Sequence, residues 1–523
     1  MSNLDHGNIA TGSGPSAAPG LSPRDRYNAA LAANVRPADW VNPEPAPRYN
    51  LVVIGGGTAG LVSAAGAAGL GARVALVERH LLGGDCLNYG CVPSKAIIRS
   101  SRVAADVREA SLFGIQVPGS PAVDFPAVMA RMRRLRAGIS HHDAAARLRD
   151  LGVDVFLGEA RFLGPDTVGV AGKTLHFKKA VIATGGRPVH PAVPGLAAAG
   201  YLTNETVFSL ASRPDRLLVM GGGPIGCELA QALQRLECQV TLLHKYDRIM
   251  NREDGDAAEL LQKVFIREGI NLILSAKPLQ VTKTPGGKRL EFEVEGQRGE
   301  IEVDEILIGA GRAPNVEGLN LEAAGVKYEA GKGQGVLVND RLQTSNPSIY
   351  AAGDICLPYQ FTHLADAAAR IVIQNALFFG RKKLSALTIP WCTYTDPEVA
   401  HVGLNEAEAQ KKGIQVQTFI KPLSQVDRAV LDGQEEGFVK IHVQQGTDKI
   451  LGATIVARHA GEMISEVTTA MAGRVGLGAL AAVIHPYPTQ AEAIRQTGDL
   501  YNRTRLTPRV KRWFARYLAW RRR

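Results

Sequence analysis

Cysteine is scarce, with six in 523 residues. A disulfide framework is not needed, since at 45% hydrophobic residues a chain of this length has apolar surface enough for several cores without one. No unbroken apolar run is long enough for a membrane-spanning helix. The start, MSNLDHGNIATGSG, has neither the basic nor the apolar segment of a secretory leader. These absences point to the cytoplasm, where thiols stay reduced and a close cysteine pair is more often catalytic or metal-binding than structural. Acidic residues are missing from one place: residues 501–523 hold nine Lys or Arg and no Asp or Glu. Nine of the ten excess positive charges sit there, so the body is near neutral and no nucleic-acid partner is indicated.

What is present reads as α/β. Residues 1–49 are rich in Pro, Ala, Gly and Asn, with one short predicted helix in SPRDRYNAALAANV, and are expected to lie on or beside the first domain. RYNLVVIGGGTAGLVSAAGAAGLGARVALVER then reads as strand, glycine turn, Ala-rich helix and strand. RLLVMGGGPIGCELAQALQRLECQVTLLHK repeats the pattern, giving two Rossmann-like dinucleotide-binding units. From Leu387 the texture changes to alternating strands (WCTYTDPEVAHVG, FVKIHVQQ, KILGATIVAR) followed by apolar helical stretches around Glu462 to Ala482, an α+β domain. The last segment places Val510, Trp513, Phe514, Tyr517 and Leu518 on one helical face, with Lys511, Arg512 and Arg516 elsewhere. Aromatic and basic residues together suit an anionic membrane surface. Packing on the surface of a dimer is the preferred alternative.

Gly55, Gly57 and Gly60 follow a hydrophobic strand and open a helix, the context in which such spacing lets backbone amides approach a pyrophosphate. Glu78, ending the next strand, is placed to accept from a ribose. Gly221, Gly223 and Gly226 repeat the spacing, and the position matching Glu78 is His244. With Lys245 and Arg248 it puts positive or protonatable groups where an acid would repel a 2′-phosphate, so the second site leans to NADPH, with NADH the alternative. In GGDCLNYGCVPSK, Pro93 suits the first turn of a helix. That places Cys91 ahead of its N-terminus and Lys95 one turn in, both favouring thiolate. Cys227, Cys238, Cys356 and Cys392 are scattered singly, so a zinc site has no second pair. His141, His142 and Asp143 are expected to face solvent.

Together these motifs resemble the class I pyridine nucleotide-disulfide oxidoreductases, flavoproteins that include glutathione reductase, dihydrolipoamide dehydrogenase and mercuric reductase. GGDCLNYGCVPSK resembles their redox-active motif, supported by VIATGGRP with Thr184 and Gly185, EILIGAGRAPN with Gly311, and SIYAAGD with Asp354. The resemblance covers roughly Arg48 to Asn502. It implies bound FAD and NAD(P)H, a homodimer, and an FAD domain (50–190 and 314–386) interrupted by a nucleotide domain (191–313). A dimerisation domain (387–500) and the basic tail (501–523) follow. Cys91 is then the thiol facing the flavin, with Asp354 on the ribityl chain. Cys86 is the interchange thiol, and Lys95 pairs with Glu228.

Dihydrolipoamide dehydrogenases and glutathione reductases carry, near the end, a His followed five residues later by Glu that serves as acid–base across the dimer. Here HPYPTQAE puts Tyr487 five residues before Glu492, with His485 two residues earlier still. Tyrosine there resembles mercuric reductase. No CxxC pair precedes the core, however, and no cysteine follows Cys392. The expected activity is hydride transfer from NADPH through FAD to the Cys86–Cys91 disulfide and on to a disulfide, metal ion or related acceptor. The alternatives are dihydrolipoamide dehydrogenase, or an electron-donating flavoprotein docked by its tail to a membrane or partner.

Overall fold

The computed structural model describes residues 21–119, 122–331 and 335–523, so the first 20 residues of the extension lie outside it. Strand Tyr49–Ile54 is buried along nearly its whole length, as a central parallel strand must be. It pairs in parallel with Val74–Glu78 on one side and with the long strand Lys173–Ile182 on the other. Val153–Leu157 extends the sheet beyond Val74–Glu78. Ile349–Ala351 returns from far down the chain to pair with the end of Lys173–Ile182, so residues on both sides of the second unit complete one seven-stranded sheet. Helices Thr58–Gly69 and Thr362–Leu377 pack together on it.

The second unit is a four-stranded parallel sheet of Asn271–Ile273, Gln239–Leu243, Arg216–Met220 and Glu305–Ile308, flanked by an antiparallel three-stranded sheet over Ala276–Val303. The third is a five-stranded antiparallel sheet with helices Ala460–Ala472 and Glu492–Thr504 against it. Its inner positions, among them Val439, Ile441, Ala453 and Ile455, are fully buried.

The extension forms helix Arg26–Val35, capped by Asp25, whose side chain accepts from the amides of Tyr27 and Asn28. Leu31 and Val35 are buried in the first core. At the other end, helix Pro508–Arg521 begins at a Thr507 cap and buries no residue at all. Among the described residues, no helix is long and apolar enough to cross a membrane.

Candidate active site

Cys86 lies in the short helix Gly84–Asn88, and Cys91 opens the long helix Cys91–Arg108. Gly84 stacks on Gly57: a side-chain carbon on Gly84 would stand 2.7 Å from the Gly57 Cα, so the cysteine loop lies directly against the first glycine turn. Both thiols are free, and each acts on the other's ionisation. The coupling favours the thiolate at Cys91 over Cys86. The hydrogen bond from Cys86 pulls the Cys91 pKa down, with the Thr362 hydroxyl at 3.4 Å and the Lys95 charge adding to it against the opposing effect of burial. Cys86, as donor to that thiolate, is pushed well above the usual thiol range.

Lys95 Nζ is 2.8 Å from Glu228 Oε2, and about a third of the Lys95 side chain stays exposed while Glu228 is buried. Glu228 sits in helix Pro224–Arg235, after the second glycine turn, and its other oxygen accepts the Tyr394 amide at 2.9 Å. The Lys95 ammonium lies 4.6 Å over the Tyr394 ring. All three folding units therefore meet at one ion pair. Burial alone would lower the Lys95 pKa, but the Glu228 carboxylate outweighs it and holds the amine charged.

In the first nucleotide cradle, Glu78 Oε2 accepts the Gly56 amide and Oε1 the His80 amide, both at 2.6 Å. Thr184 and Gly185 are tied to Asn315, which accepts the Thr184 hydroxyl on its carbonyl and donates its own amide to Gly185 O. Gly311 passes the chain to Arg312, which pairs with Asp85, donates to Gly186 O at 2.8 Å and faces Asp354 at 3.7 Å. Arg312 Nε is buried without a hydrogen-bond partner, and burial raises the Asp354 carboxyl to about 6. An orphaned guanidinium nitrogen beside a carboxylate short of donors fits a ligand bearing both anionic oxygens and hydroxyls, as FAD does.

The second cradle reproduces the first with one exchange. Gly222 donates its amide to His244 Nδ1 at 2.9 Å, as Gly56 does to Glu78. Burial, with the Lys245 charge, lowers the His244 pKa. The protonatable role expected of His244 is therefore corrected: it is a neutral imidazole whose Nε2–H is a buried donor with no partner. Lys245 and Arg248, both exposed, are the cations at this position.

Tyr487, His485 and Glu492 do not join the dithiol of their own chain. Tyr487 is 70% exposed and donates its hydroxyl to Asp427 at 2.9 Å, while Glu492 pairs with Arg495 at 2.7 Å instead. His485 Nε2 is 2.9 Å from Glu466. His141 and His142 are exposed, whereas Asp143 is half-buried, with a carboxylate oxygen 2.9 Å from where a side chain on Gly83 would begin. Sequence reasoning missed Thr362, Tyr394, Arg312 and Asp427, and expected the half-buried Asp143 to face solvent. Arg312 stood inside the GRAPN segment and Tyr394 inside WCTYTDPEVAHVG, both already singled out.

A family model described as pyridine nucleotide-disulphide oxidoreductase matches residues 49–371, and one for the dimerisation domain of the same proteins matches 389–497. A mercuric reductase from Lysinibacillus sphaericus is 36% identical over 447 residues, covering 86% of this chain and 81% of that protein. A dihydrolipoyl dehydrogenase from Bacillus subtilis is 33% identical over 470 residues, covering 86% and 97%. The Cu(II) complex of the HOCl-induced flavoprotein disulfide reductase RclA from Escherichia coli is similar with a TM-score of 0.77 at 26% identity, covering 87% of this chain and 100% of that one.

Proposed function

The chain belongs to the pyridine nucleotide-disulphide oxidoreductase family, and on that premise we propose that it reduces a thiophilic metal ion through Cys86 and Cys91. It is an FAD-dependent NAD(P)H disulfide oxidoreductase, and its dimerisation domain supports a homodimer. FAD, when bound, supplies the two-electron link between nicotinamide and sulfur. Arg312, Asp354, Glu78 and the amides after Gly55 are the groups that would hold it.

The chain's own residues supply the exit. Cys91 keeps the thiolate and Cys86 keeps a proton, so the reduced pair is poised with one strong nucleophile and one neutral thiol. A thiophilic ion such as Hg(II), or Cu(II) as it becomes the softer Cu(I), takes both sulfurs as ligands, displacing the Cys86 proton to water. Two electrons then leave the dithiol as its disulfide forms, reducing one Hg(II) to the metal or two Cu(II) to Cu(I). Reduction of lipoamide needs a base to carry protons between thiols, and five residues before Glu492 this chain has Tyr487 rather than an imidazole. Tyr487 at that position, its hydroxyl given to Asp427, is the observation that carries the assignment. The names of the mercuric reductase and of the copper complex of RclA agree with it.

For the nicotinamide donor we propose NADPH. A neutral His244 offers a hydrogen where Glu78 offers an acceptor, and a 2′-phosphate has only acceptors to present, with Lys245 and Arg248 beside it. The basic helix Pro508–Arg521 docks on an anionic lipid surface rather than on a second copy. Its Trp513, Phe514, Tyr517 and Leu518 are exposed, with five basic residues from Arg509 to Arg521 beside them.

Anaerobic reduction by NADPH followed by Hg(II), Cu(II), lipoamide and glutathione disulfide tests the acceptor. Metal turnover at least about tenfold above lipoamide turnover, abolished in Cys86→Ala, is expected. Faster lipoamide turnover, or metal reduction untouched by Cys86→Ala, overturns it. His244→Glu should reverse the preference between NADPH and NADH in kcat/KM. Deleting residues 505–523 should abolish sedimentation with phosphatidylserine vesicles while leaving NADPH oxidation unchanged.

A further inference from the structure

The family match begins at residue 49, yet the segment before it reaches the redox loop. Asn28, on helix Arg26–Val35, is 4% exposed, and its Oδ1 accepts Arg136 Nη2 at 2.7 Å. Arg136 Nη1 donates at 2.7 Å to the carbonyl of Asn88, midway between the two cysteines. Asn88 in turn donates its side-chain amide to Leu82 O and Gly84 O at 3.0 and 2.9 Å, closing the loop on itself. The other end of the helix holds the loop's entry. Val35 O accepts the Leu82 amide at 3.2 Å, and Arg36 donates to Arg79 O and His80 O at 2.9 and 2.7 Å. One helix thus clamps the cysteine loop at its start and at its middle.

Arg136 is 3% exposed, and burial lowers its pKa to about 10, so it remains a cation at neutral pH. Arg133 takes Asp25, so that carboxylate is already committed and does not neutralise Arg136 by a contact of its own. A buried positive charge bound to the loop carbonyl stabilises the reduced pair, because the reduced pair holds a thiolate and the disulfide holds none.

We infer that Asn28 and Arg136 are positioning residues that fix the Cys86–Cys91 loop and raise its reduction potential, making the N-terminal extension a working part of the redox site. This rests on Cys86 and Cys91 being the redox pair. The full-length flavin-loaded protein and its Asn28→Ala, Arg136→Lys and Arg136→Met variants are equilibrated in glutathione buffers, and the disulfide fraction is read by alkylation and mass spectrometry. Arg136→Met should shift the equilibrium about tenfold toward disulfide, which is about 30 mV for a two-electron couple. Asn28→Ala should shift it about threefold, and Arg136→Lys, which keeps the charge, less than that.

Melting temperatures recorded alongside separate positioning from simple destabilisation. If Asn28→Ala and Arg136→Met lower the melting temperature but leave the equilibrium unmoved, the inference is overturned. Should Arg136→Met not fold, Asn28→Ala decides alone. Failure of the underlying assignment shows differently, as a wild-type protein whose Cys86–Cys91 disulfide forms in no buffer.

Discussion

Lys95 acts on two neighbours at once. Its charge satisfies the buried Glu228 and lowers the Cys91 pKa, while Glu228 pushes Cys91 the other way. Lys95→Met therefore leaves a buried carboxylate unpaired and a thiolate without its cation. Full burial of such a pair makes its breakage worth 3–5 kcal/mol. With a third of the lysine exposed, about 2 kcal/mol is expected here, measured by urea unfolding. In the reduced protein, alkylation against pH should show the first proton leaving near pH 6 in wild type, later in Lys95→Met and earlier in Glu228→Gln. The folded Cys91 pKa of about 6 lies below the roughly 8.5 of an unfolded thiol. Its contribution to stability is therefore complete above about pH 8.5 and is lost as pH falls through about 6. No such slope should appear in the oxidised protein.

The two glycine turns separate the two nucleotide functions. A methyl on Gly60 would stand 1.8 Å from Gly55 O, and one on Gly226 would stand 1.8 Å from Gly221 O. Gly60→Ala should therefore yield protein with less than about a tenth of the wild-type flavin. Gly226→Ala should keep its flavin and lose NADPH binding, with absorbance and calorimetry separating the outcomes. These turns were legible in the sequence because strand, turn and helix are contiguous, so the steric need is written within a dozen residues. The equivalence of Glu78 and His244 was legible from their matching spacing, each standing 22 residues after the glycine whose amide it accepts. The charge state of His244 was not, because it depends on burial by the whole sheet. Thr362, Tyr394 and Asp427 were also hidden. Thr362 is 271 residues from Cys91, and Tyr394 is 166 from Glu228, and no local pattern marks a contact made by tertiary closure. The extension's helix was legible from its own residues, whereas its grip on the cysteine loop passes through Arg136, 108 positions away.

The second nucleotide unit is fastened to the C-terminal sheet by buried polar contacts, so the dithiol, the Lys95–Glu228 pair and Tyr394 keep their register only while that junction holds. Arg235 bridges Glu268 and Asp396, and Asp254 accepts Thr454 at 2.8 Å with Lys440 at 3.4 Å. Asp254 sits well below the usual carboxylate range despite burial, through His442, Lys440 and Thr454. Its contribution is present above about pH 4 and fails only in acid. Glu253 behaves oppositely. Burial raises it to about 7, with only the Trp391 indole donating to it, at 2.7 Å, and its second oxygen unpartnered. A carboxyl raised in the folded state stabilises most below its unfolded pKa of about 4.3, and that stability is lost as pH rises through about 7. The junction should weaken by about 1 kcal/mol between pH 6 and pH 8 from this group alone. Glu253→Gln keeps the acceptor for Trp391 and removes the ionisation. Its melting temperature should stay flat over that interval where the wild type declines. A parallel decline in both proteins would place the pH sensitivity elsewhere in the molecule.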